Sequence, residues 1–302
     1  VSLRIVLHNF LARELATRGP GNWDSFEGFL VRSAEHLFSV GERLSGNNRE
    51  FSRIWRELVP EPMNRCVGIT TATNTEDNAL FDALNRANFR ESRKIRAGNG
   101  IVVEYARGLT SRIIHIRTSA GSLGINSAGG TLQAAVIDLK LRYVISAGIC
   151  FGLKPKEQEA GEQRLCDVLI STHVHDYETI RTGKKFRQRG DKASAGTALL
   201  QAARIVTMTG RGRDYQTFDG VILSGQKLVD DRGTVEALRR SFPDAVGGEM
   251  EGNAVASIPA EWLVVKGICD WGMDKDDKFQ VPAAQNAFGL ALEIANVLFE
   301  AT

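Results

Sequence analysis

The sequence predicts an α/β fold from residue 63 onward, preceded by a short helical segment. From Cys66, short runs rich in β-branched residues alternate with longer stretches of helical periodicity. Strands that alternate with helices form a sheet whose two faces are covered by helices, and ligands bind beyond the strand ends. The alternation therefore predicts both the fold class and the edge of the sheet where a site is expected.

The predicted elements follow in chain order. Short runs rich in valine and isoleucine are typical of buried strands, and here they read CVGITTAT, IVVEYA, RIIHIR, LRYVISAGI, DVLIST, FDGVILSG and WLVVKGICD. Longer segments with apolar residues at helical spacing are predicted as helices, and they read EDNALFDAL, NSAGGTLQAAVIDLKL, SAGTALLQAARIVTM and AAQNAFGLALEIANVLFEA.

Residues 1–62 are predicted to form a helical leader or connector, and residues 63–302 the α/β domain. Apolar residues recur at helical spacing between Leu3 and Leu15. Pro60-Glu61-Pro62 is a predicted linker, because two prolines so close together do not continue a helix. The leader carries no chemistry of its own, which favours a connector or an oligomerisation element.

The bulk composition excludes several function classes. A formal net charge of +2 over 302 residues argues against binding to nucleic acid or a membrane through overall charge. No apolar run approaches the roughly 20 residues of a transmembrane helix, and no signal-peptide cleavage site follows the first apolar stretch. The four cysteines are widely spaced in or beside apolar runs, which predicts buried free thiols in a reducing compartment. We therefore expect a cytoplasmic protein.

Acidic residues occur at the ends of three predicted strands. Glu76 follows the first strand, where it is either a dipole-favourable acid of a helix N-terminus or a base that activates water. The string Gly247-Gly248-Glu249-Met250-Glu251-Gly252 allows carboxylates to approach a ligand closely, although it is also compatible with a turn. Asp270 ends a buried strand, and carboxylates at such places are seldom only structural.

Two further clusters are less specific. Residues 181–189 read RTGKKFRQR, which is either a solvated surface loop or an anion-binding loop that closes over phosphates. In the second reading, Lys184, Lys185, Arg187 and Arg189 supply the cations. The pair His173 and His175 lacks a third ligand at convincing spacing, so no metal site is predicted.

Taken together, these strings resemble the purine nucleoside phosphorylase/nucleosidase superfamily, and most of all its 5′-methylthioadenosine/S-adenosylhomocysteine nucleosidases. The resemblance covers roughly residues 66–299 and rests on six strings in order: VGITTATNTEDNAL, YVISAGICFGL, CDVLIST, GVILSGQKLVDD, SFPDAVGGEMEGNAVAS and VVKGICDWGMD. It implies a three-layer α/β catalytic domain with a mixed, partly closed sheet, commonly assembled as homo-oligomers. It implies no metal or organic cofactor.

The resemblance also assigns roles by position. Asp270 matches the acid that protonates or hydrogen-bonds purine N7, Glu251 the carboxylate that holds the ribose hydroxyls, and Glu76 the base that activates water. The implied substrate-binding residues are Met250 against the sugar, Leu228 and Val229 against adenine, Ile149 near the water site, and Lys266, which stands where these nucleosidases usually carry arginine.

The resemblance favours hydrolysis over phosphorolysis. Phosphorylases of this superfamily bind phosphate at a turn after the first strand, whereas here that turn reads Ala-Thr-Asn-Thr-Glu76 and contains no cation. A carboxylate there repels phosphate and suits water. Where methylthioadenosine nucleosidases show T-G-S-A-G-G, this chain has A-G-I-C-F-G, with Ile149 in place of a serine that helps to position water. The departure argues against methylthioadenosine as the substrate.

The AGICFG, RTGKKFRQR and GEMEG strings also resemble phosphorylase-type domains of bacterial signalling and anti-phage defence proteins, some of which remove the base from adenine nucleotides, including ATP. We therefore expect a phosphorylated purine nucleoside as substrate, with the leader coupling the domain to a regulatory domain or partner. Four alternatives stay open: a methylthioadenosine/S-adenosylhomocysteine nucleosidase, a phosphate-dependent phosphorylase, a non-catalytic nucleotide sensor, and a nucleic-acid module that binds through the basic loop.

Overall fold

The structure is a computed structural model that describes residues 66–98, 100–108, 111–119, 121, 128–155, 162–181, 187–188, 190–210, 212–273 and 275–300. The predicted leader, residues 1–62, lies outside the described residues. The domain boundary at residue 63 therefore stays a prediction.

The described residues contain strands and helices in mixed order. The strands are β1 Cys66–Thr71, β2 Arg90–Ala97, β3 Gly100–Arg107, β4 Ser111–Arg117, β5 Tyr143–Gly152, β6 Val168–Asp176, β7 Ile180–Arg181, β8 Arg187–Gln188, β9 Lys192–Ser194, β10 Thr217–Ser224, β11 Ala245–Glu249 and β12 Glu261–Asp270. The helices are α1 Asn74–Arg86, α2 Ala128–Leu139, α3 Thr197–Thr209, α4 Arg232–Ser241, α5 Gly252–Ala256 and α6 Gln280–Glu300, with a short 3₁₀ helix at Asp277–Phe279.

The central sheet is mixed and partly closed. Its strand order is β11-β10-β6-β12-β5-β1-β4-β3-β2, with β9 added to β6. Strand β11 also pairs with β5, antiparallel, which closes β5, β12, β6, β10 and β11 into a ring. Strands β1, β4, β3 and β2 extend from this ring as an open sheet. The predicted fold class, an α/β fold with a mixed and partly closed sheet, is confirmed.

Helices pack on both faces of the sheet and give three layers. On one face, α1, α3 and α6 share a core with β1, β5 and β12. On the other face, α2 and α5 pack over a second core that includes Leu132, Val136 and Val255. Helix α6 approaches β12 closely, because a Cβ on Gly267 would lie only 2.1 Å from the Ala283 carbonyl oxygen. Among the described residues, no helix is both long enough and apolar enough to cross a membrane.

The seven predicted strands and four predicted helices are all present, with ends shifted by a few residues. Strand β2 was not predicted, because its sequence RESRKIRA lies at the sheet edge with most side chains exposed. Strand β11, AVGGE, was predicted only as a glycine-rich strand end that was also compatible with a turn, and it was not among the seven predicted runs. It is short and contains two glycines, but all five residues are buried.

Candidate active site

A cavity of about 330 Å³ opens at the carboxyl ends of β1, β5, β11 and β12. Its wall includes the three acids predicted from the sequence, Glu76, Glu251 and Asp270. The other predicted residues in the wall are Ile149, Leu228, Val229 and Met250. The structure thus places side chains that are almost 200 residues apart in the chain around one space.

The sheet explains this convergence. Strands β1 and β12 both run parallel to β5, so their carboxyl ends meet at one edge. Strand β11 runs antiparallel to β5, with Gly248 opposite Phe151, which brings the end of β11 to the same place. Glu76, Asp270 and Glu251 follow or end β1, β12 and β11, respectively.

Glu76 is held rigidly at the start of α1. Its Oε2 accepts hydrogen bonds from the backbone amides of Ala72 (2.7 Å) and Thr73 (3.1 Å), and Oε1 accepts one from Ile149 (3.1 Å). The Thr73 side chain caps α1 by accepting from the Glu76 amide, so the two residues form a capping box. Since a carboxylate oxygen accepts about two hydrogens, Oε1 retains capacity for one more donor, such as water.

Glycine at position 148 is required by this arrangement. A Cβ there would lie 2.0 Å from Glu76 Oε1, and Gly148 has a φ of +155°. The carboxylate is 2% exposed. Burial raises the pKa of Glu76; the Lys266 ammonium partly offsets this effect, and Glu251 adds to it. A raised pKa suits a group that must take up a proton during a reaction.

Glu251 belongs to a buried ion-pair cluster that also contains Lys266 and Glu249. Its Oε2 lies 3.1 Å from Lys266 Nζ, and Oε1 accepts a hydrogen bond from the Gly121 amide at 3.3 Å. Lys266 Nζ is also 3.8 Å from Glu249 Oε2. The side chains of Lys266 and Glu249 are each 1% exposed, and that of Glu251 is 12% exposed, so Glu251 is the most accessible of the three.

The charges in this cluster perturb one another. Burial acts to raise the pKa of Glu251, but the Lys266 ammonium and the hydrogen bonds to the carboxylate outweigh it and lower the pKa. Burial likewise acts to lower the pKa of Lys266, but Glu251, Glu76 and Glu249 together raise it. At neutral pH the cluster therefore contains an ammonium and an ionised Glu251.

Asp270 ends β12 with its side chain 13% exposed. Its Oδ1 accepts a hydrogen bond from the Gly272 amide at 2.7 Å, which fixes the carboxyl group. The Cys269 thiol lies 3.2 Å from Oδ2, and Lys275 Nζ lies 3.8 Å from the same atom. Asp270 thus combines a fixed orientation with two neighbours that can donate hydrogen.

The remaining wall is largely apolar. Phe151 and Val229 are buried, and Leu228 is 70% exposed on the rim. The Phe151 ring packs so tightly on Gly248 that a Cβ there would lie 2.3 Å from the ring. An apolar wall next to fixed polar groups suits a planar heterocycle.

No protein-family model matches the chain, but its sequence and structure have relatives. A Death domain-containing ATP nucleosidase from Amphimedon queenslandica is 27% identical over 233 residues, which cover 67% of this chain and 42% of that protein. A 5′-methylthioadenosine/S-adenosylhomocysteine nucleosidase from Geobacillus kaustophilus is 24% identical over 214 residues, covering 65% of this chain and 85% of the relative. The chain thus spans less than half of the first relative and most of the second.

The fold is also similar to that of a solved nucleosidase structure. The structure of a 5′-methylthioadenosine/S-adenosylhomocysteine nucleosidase from Neisseria meningitidis, in complex with methylthio-immucillin-A, matches with a TM-score of 0.64 at 20% identity. The match covers 77% of this chain and 99% of that one. The chain is similar in sequence and fold to nucleosidases of the purine nucleoside phosphorylase/nucleosidase superfamily. The superfamily resemblance predicted from the sequence is therefore confirmed.

Some residues that the superfamily resemblance assigned to the substrate are not in the cavity wall. Lys266 was predicted to bind substrate, but it lies fully buried beneath the carboxylates, so its contacts are with Glu251 and Glu249. Lys184, Lys185 and Arg189 lie outside the described residues, and of Arg187 only the backbone, in β8, is described. Phosphate binding by this loop stays a prediction.

Other residues of the site were missed by sequence reasoning. Glu249 was noted only as part of a glycine-rich string, and its burial beside Lys266 was not foreseen. Lys227, Phe151 and Lys275 also line the cavity. Only Phe151 carried a signal, because it lies in the AGICFG string near the end of β5; the two lysines lie in loops.

The histidine pair has local contacts. His173 Nδ1 lies 3.2 Å from Thr172 Oγ1, and the His175 ring packs edge-on against Phe242 with centroids 4.9 Å apart. Within the described ranges, no group of three His, Cys, Asp or Glu side chains is arranged to hold a metal ion.

Proposed function

We propose that this chain is an N-ribosyl hydrolase that removes the purine base from an adenine nucleoside or nucleotide by attack of water at C1′. One observation carries the proposal: Glu76, Glu251 and Asp270 line a single cavity. The relatives named as nucleosidases support the same reaction class.

Breaking the C1′–N9 bond places positive charge on the sugar and negative charge on the departing base. In the proposed mechanism, Asp270 donates a proton to N7, so the bonding electrons leave with a neutral base. Glu251 accepts hydrogen bonds from the ribose hydroxyls and stabilises the cationic sugar. Glu76 takes a proton from water while the water oxygen bonds to C1′. Each acid–base role contributes about 10²–10⁴-fold in rate.

The site favours water over phosphate as the attacking group. Residues 72–76 read ATNTE, without a cation, and Glu76 fills the end of β1 with a buried carboxylate. A phosphate bound there would be repelled by that carboxylate. Lys266 offsets this repulsion only in part, because its ammonium is already paired with Glu251 and Glu249.

We further propose ATP as the preferred substrate. Support comes from the relative named as an ATP nucleosidase and from the basic sequence of residues 181–189. A charge-assisted hydrogen bond contributes about 1.5–3 kcal/mol, so two or three would separate ATP from adenosine by several kcal/mol. By its resemblance to defence domains, the protein would act as an anti-phage effector in the cytoplasm, as a homo-oligomer whose leader receives the activating signal.

Chromatographic detection of free base tests the proposal. The protein is incubated with ATP, adenosine, methylthioadenosine, S-adenosylhomocysteine and GTP, each with and without inorganic phosphate. Release of adenine from ATP without phosphate is the expected result. Release that depends on phosphate would make the protein a phosphorylase, and no release from any substrate would favour a nucleotide sensor.

Two sets of variants sharpen this assay. Asp270→Ala and Glu251→Ala are expected to fold and to lose most turnover on every substrate. Charge reversal at Lys184 and Lys185 is expected to reduce turnover of ATP far more than that of adenosine. Equal losses on the two substrates would exclude the phosphate-binding role of this loop.

The second candidate is a methylthioadenosine/S-adenosylhomocysteine nucleosidase. The alignment with the Geobacillus kaustophilus enzyme, which covers 85% of that relative, favours it. Faster release of adenine from methylthioadenosine than from ATP would select this candidate.

A further inference from the structure

Glu249 is a fourth carboxylate of the site, and the mechanism above gives it no role. Its Oε2 accepts hydrogen bonds from the backbone amides of Glu251 and Gly252, both at 2.9 Å, and Oε1 lies at the same distance from the second amide. The side chain is 1% exposed. Glu249 therefore fixes the turn that carries Glu251, at the wall of the same cavity.

Glu249 and Glu251 share one cation. Lys266 Nζ lies 3.1 Å from Glu251 Oε2 and 3.8 Å from Glu249 Oε2, in a position that is 1% exposed. Among the described residues, no other ammonium or guanidinium group lies within 4.0 Å of either carboxylate. A change in the charge of Glu249 must therefore change how strongly Lys266 holds Glu251.

We propose that Glu249 is a positioning residue that controls the acceptor strength of Glu251 through Lys266. The inference rests on the proposed function, because it assigns Glu249 to the ribose-binding step of that reaction. With Glu249 protonated, Lys266 pairs with Glu251 and occupies Oε2. With Glu249 ionised, Lys266 is shared, and Glu251 accepts the ribose hydroxyl hydrogens more strongly.

The surroundings of Glu249 place this change near neutral pH. The titratable groups that face it are Lys266 on β12, Glu251 before α5, Cys150 on β5, and Tyr177 after β6. Burial raises the pKa of Glu249 to about 7, and Lys266 only partly offsets this effect. Burial also raises the pKa of Tyr177 to about 12 and that of Cys150 well above its ordinary value, so both are neutral at pH 7.

Ionisation of Glu249 is expected to increase the rate. As pH rises through about 7, Glu249 loses its proton, the cluster gains one negative charge near the cationic sugar, and Lys266 holds Glu251 less strongly. We therefore expect kcat/KM to rise through this range. In Glu249→Gln, the side chain at position 249 is neutral at every pH, so this rise in kcat/KM is expected to be absent. At pH well above 7, kcat/KM of the variant is expected to be about tenfold below that of the wild type, because one charge-assisted hydrogen bond is weakened.

The experiment measures pH–rate profiles for the wild type, Glu249→Gln and the control Glu236→Gln. Glu236 is an exposed residue of α4 that pairs with Arg240, and its variant is expected to keep the wild-type profile. The rise that belongs to ionisation of Glu76 is expected in all three proteins. A Glu249→Gln profile with the wild-type midpoint near 7, or an equal loss at every pH, would overturn the proposal.

A second measurement does not depend on turnover. In wild-type protein labelled with ¹³C at the glutamate carboxyl groups, one resonance is expected to titrate near pH 7, and the Glu251 resonance to shift with the same midpoint. Glu249→Gln is expected to abolish both changes. A Glu251 resonance that stays constant through this range would refute the coupling. If the wild type releases no base but the coupled titration is present, the proposed function fails while the link between the two glutamates stands.

Discussion

Replacing Gly148 with alanine tests the assigned base without altering any acidic residue. The added Cβ would lie 2.0 Å from Glu76 Oε1, 2.8 Å from its Cδ and 3.0 Å from Lys266 Nζ, whereas ordinary contact begins at 3.4 Å. The Glu76 carboxylate must therefore retreat by about 1.4 Å, which also strains its hydrogen bond from Ile149. A misplacement of about 1 Å at a reacting group costs on the order of 10²-fold in rate.

We therefore expect Gly148→Ala to lower kcat/KM by about 10²-fold, equivalent to about 2.7 kcal/mol of transition-state stabilisation. Alanine at a φ of +155° is also strained, so the free energy of unfolding should fall by about 1–3 kcal/mol. Base release is measured by chromatography and stability by urea denaturation, both on purified protein.

The matched control is Gly289→Ala in α6, where an added Cβ meets nothing within 4 Å. This variant should keep wild-type kcat/KM and gain roughly 0.5–1 kcal/mol of stability, because alanine is the better helix former. The double variant Gly148→Ala/Glu76→Gln should be no slower than Glu76→Gln, since both changes act on one group. A folded Gly148→Ala protein within threefold of wild-type kcat/KM would refute the assignment of Glu76 as base.

Three further predictions follow from the same geometry. Glu76→Gln should lower kcat by about 10²–10⁴-fold with little change in KM. Because burial raises the pKa of Glu76 and the base must be ionised, the kcat of the wild type should rise with pH through that raised pKa. If the pH–rate profile of the variant keeps this rise, the rise belongs to another group. Lys266→Met leaves Glu76, Glu249 and Glu251 without their shared cation and should lower the free energy of unfolding by about 3–5 kcal/mol. This loss of stability should be smaller at low pH, where the carboxylates are protonated. Denaturation curves in which the loss of stability does not depend on pH would contradict this prediction. Gly248→Ala places a Cβ 2.3 Å from the Phe151 ring and should push that ring into the cavity. We therefore expect the variant to raise KM more than it lowers kcat. Steady-state kinetics with unchanged KM would show that Phe151 does not contact the substrate.

The sequence predicts the sheet well where strands are buried. Runs such as the one that forms β12 are mostly apolar and are buried along almost their whole length, because helices cover both faces of the sheet there. Strand β2 escapes prediction for the opposite reason: it is an edge strand with five charged residues in eight, and only Ala97 is buried. The closure of the sheet through β11 and β5 escapes as well, since two glycine-rich segments about 95 residues apart in the chain carry no local sign that they pair.

The residues of the candidate site also differ in how far their positions can be predicted from the sequence. Glu76 and Asp270 follow predictable strands, so their approach to one edge of the sheet can be expected from the chain order alone. The partners of Glu249 cannot be expected in this way, because they depend on the turn after β11, which brings the carboxylates of Glu249 and Glu251 to the same Lys266. Lys227 and Lys275 are long side chains on loops, and their presence at the cavity depends on how those loops pack.

The lysine at position 266 changes how water must be held. Arginine, usual at this position in related nucleosidases by the resemblance above, presents a planar fork that pairs with one carboxylate, whereas an ammonium is a compact charge with three hydrogens that point in different directions. Lys266 accordingly lies among Glu251, Glu249 and Glu76 in a space that is 1% exposed, and it is not part of the cavity wall. A water molecule in front of C1′ therefore meets the Oε1 of Glu76 and the apolar side chain of Ile149 rather than a cation. Water activation in this chain then depends on Glu76 almost alone, so Glu76→Gln should reduce hydrolysis more than any single substitution in the Lys266 cluster that leaves the protein folded.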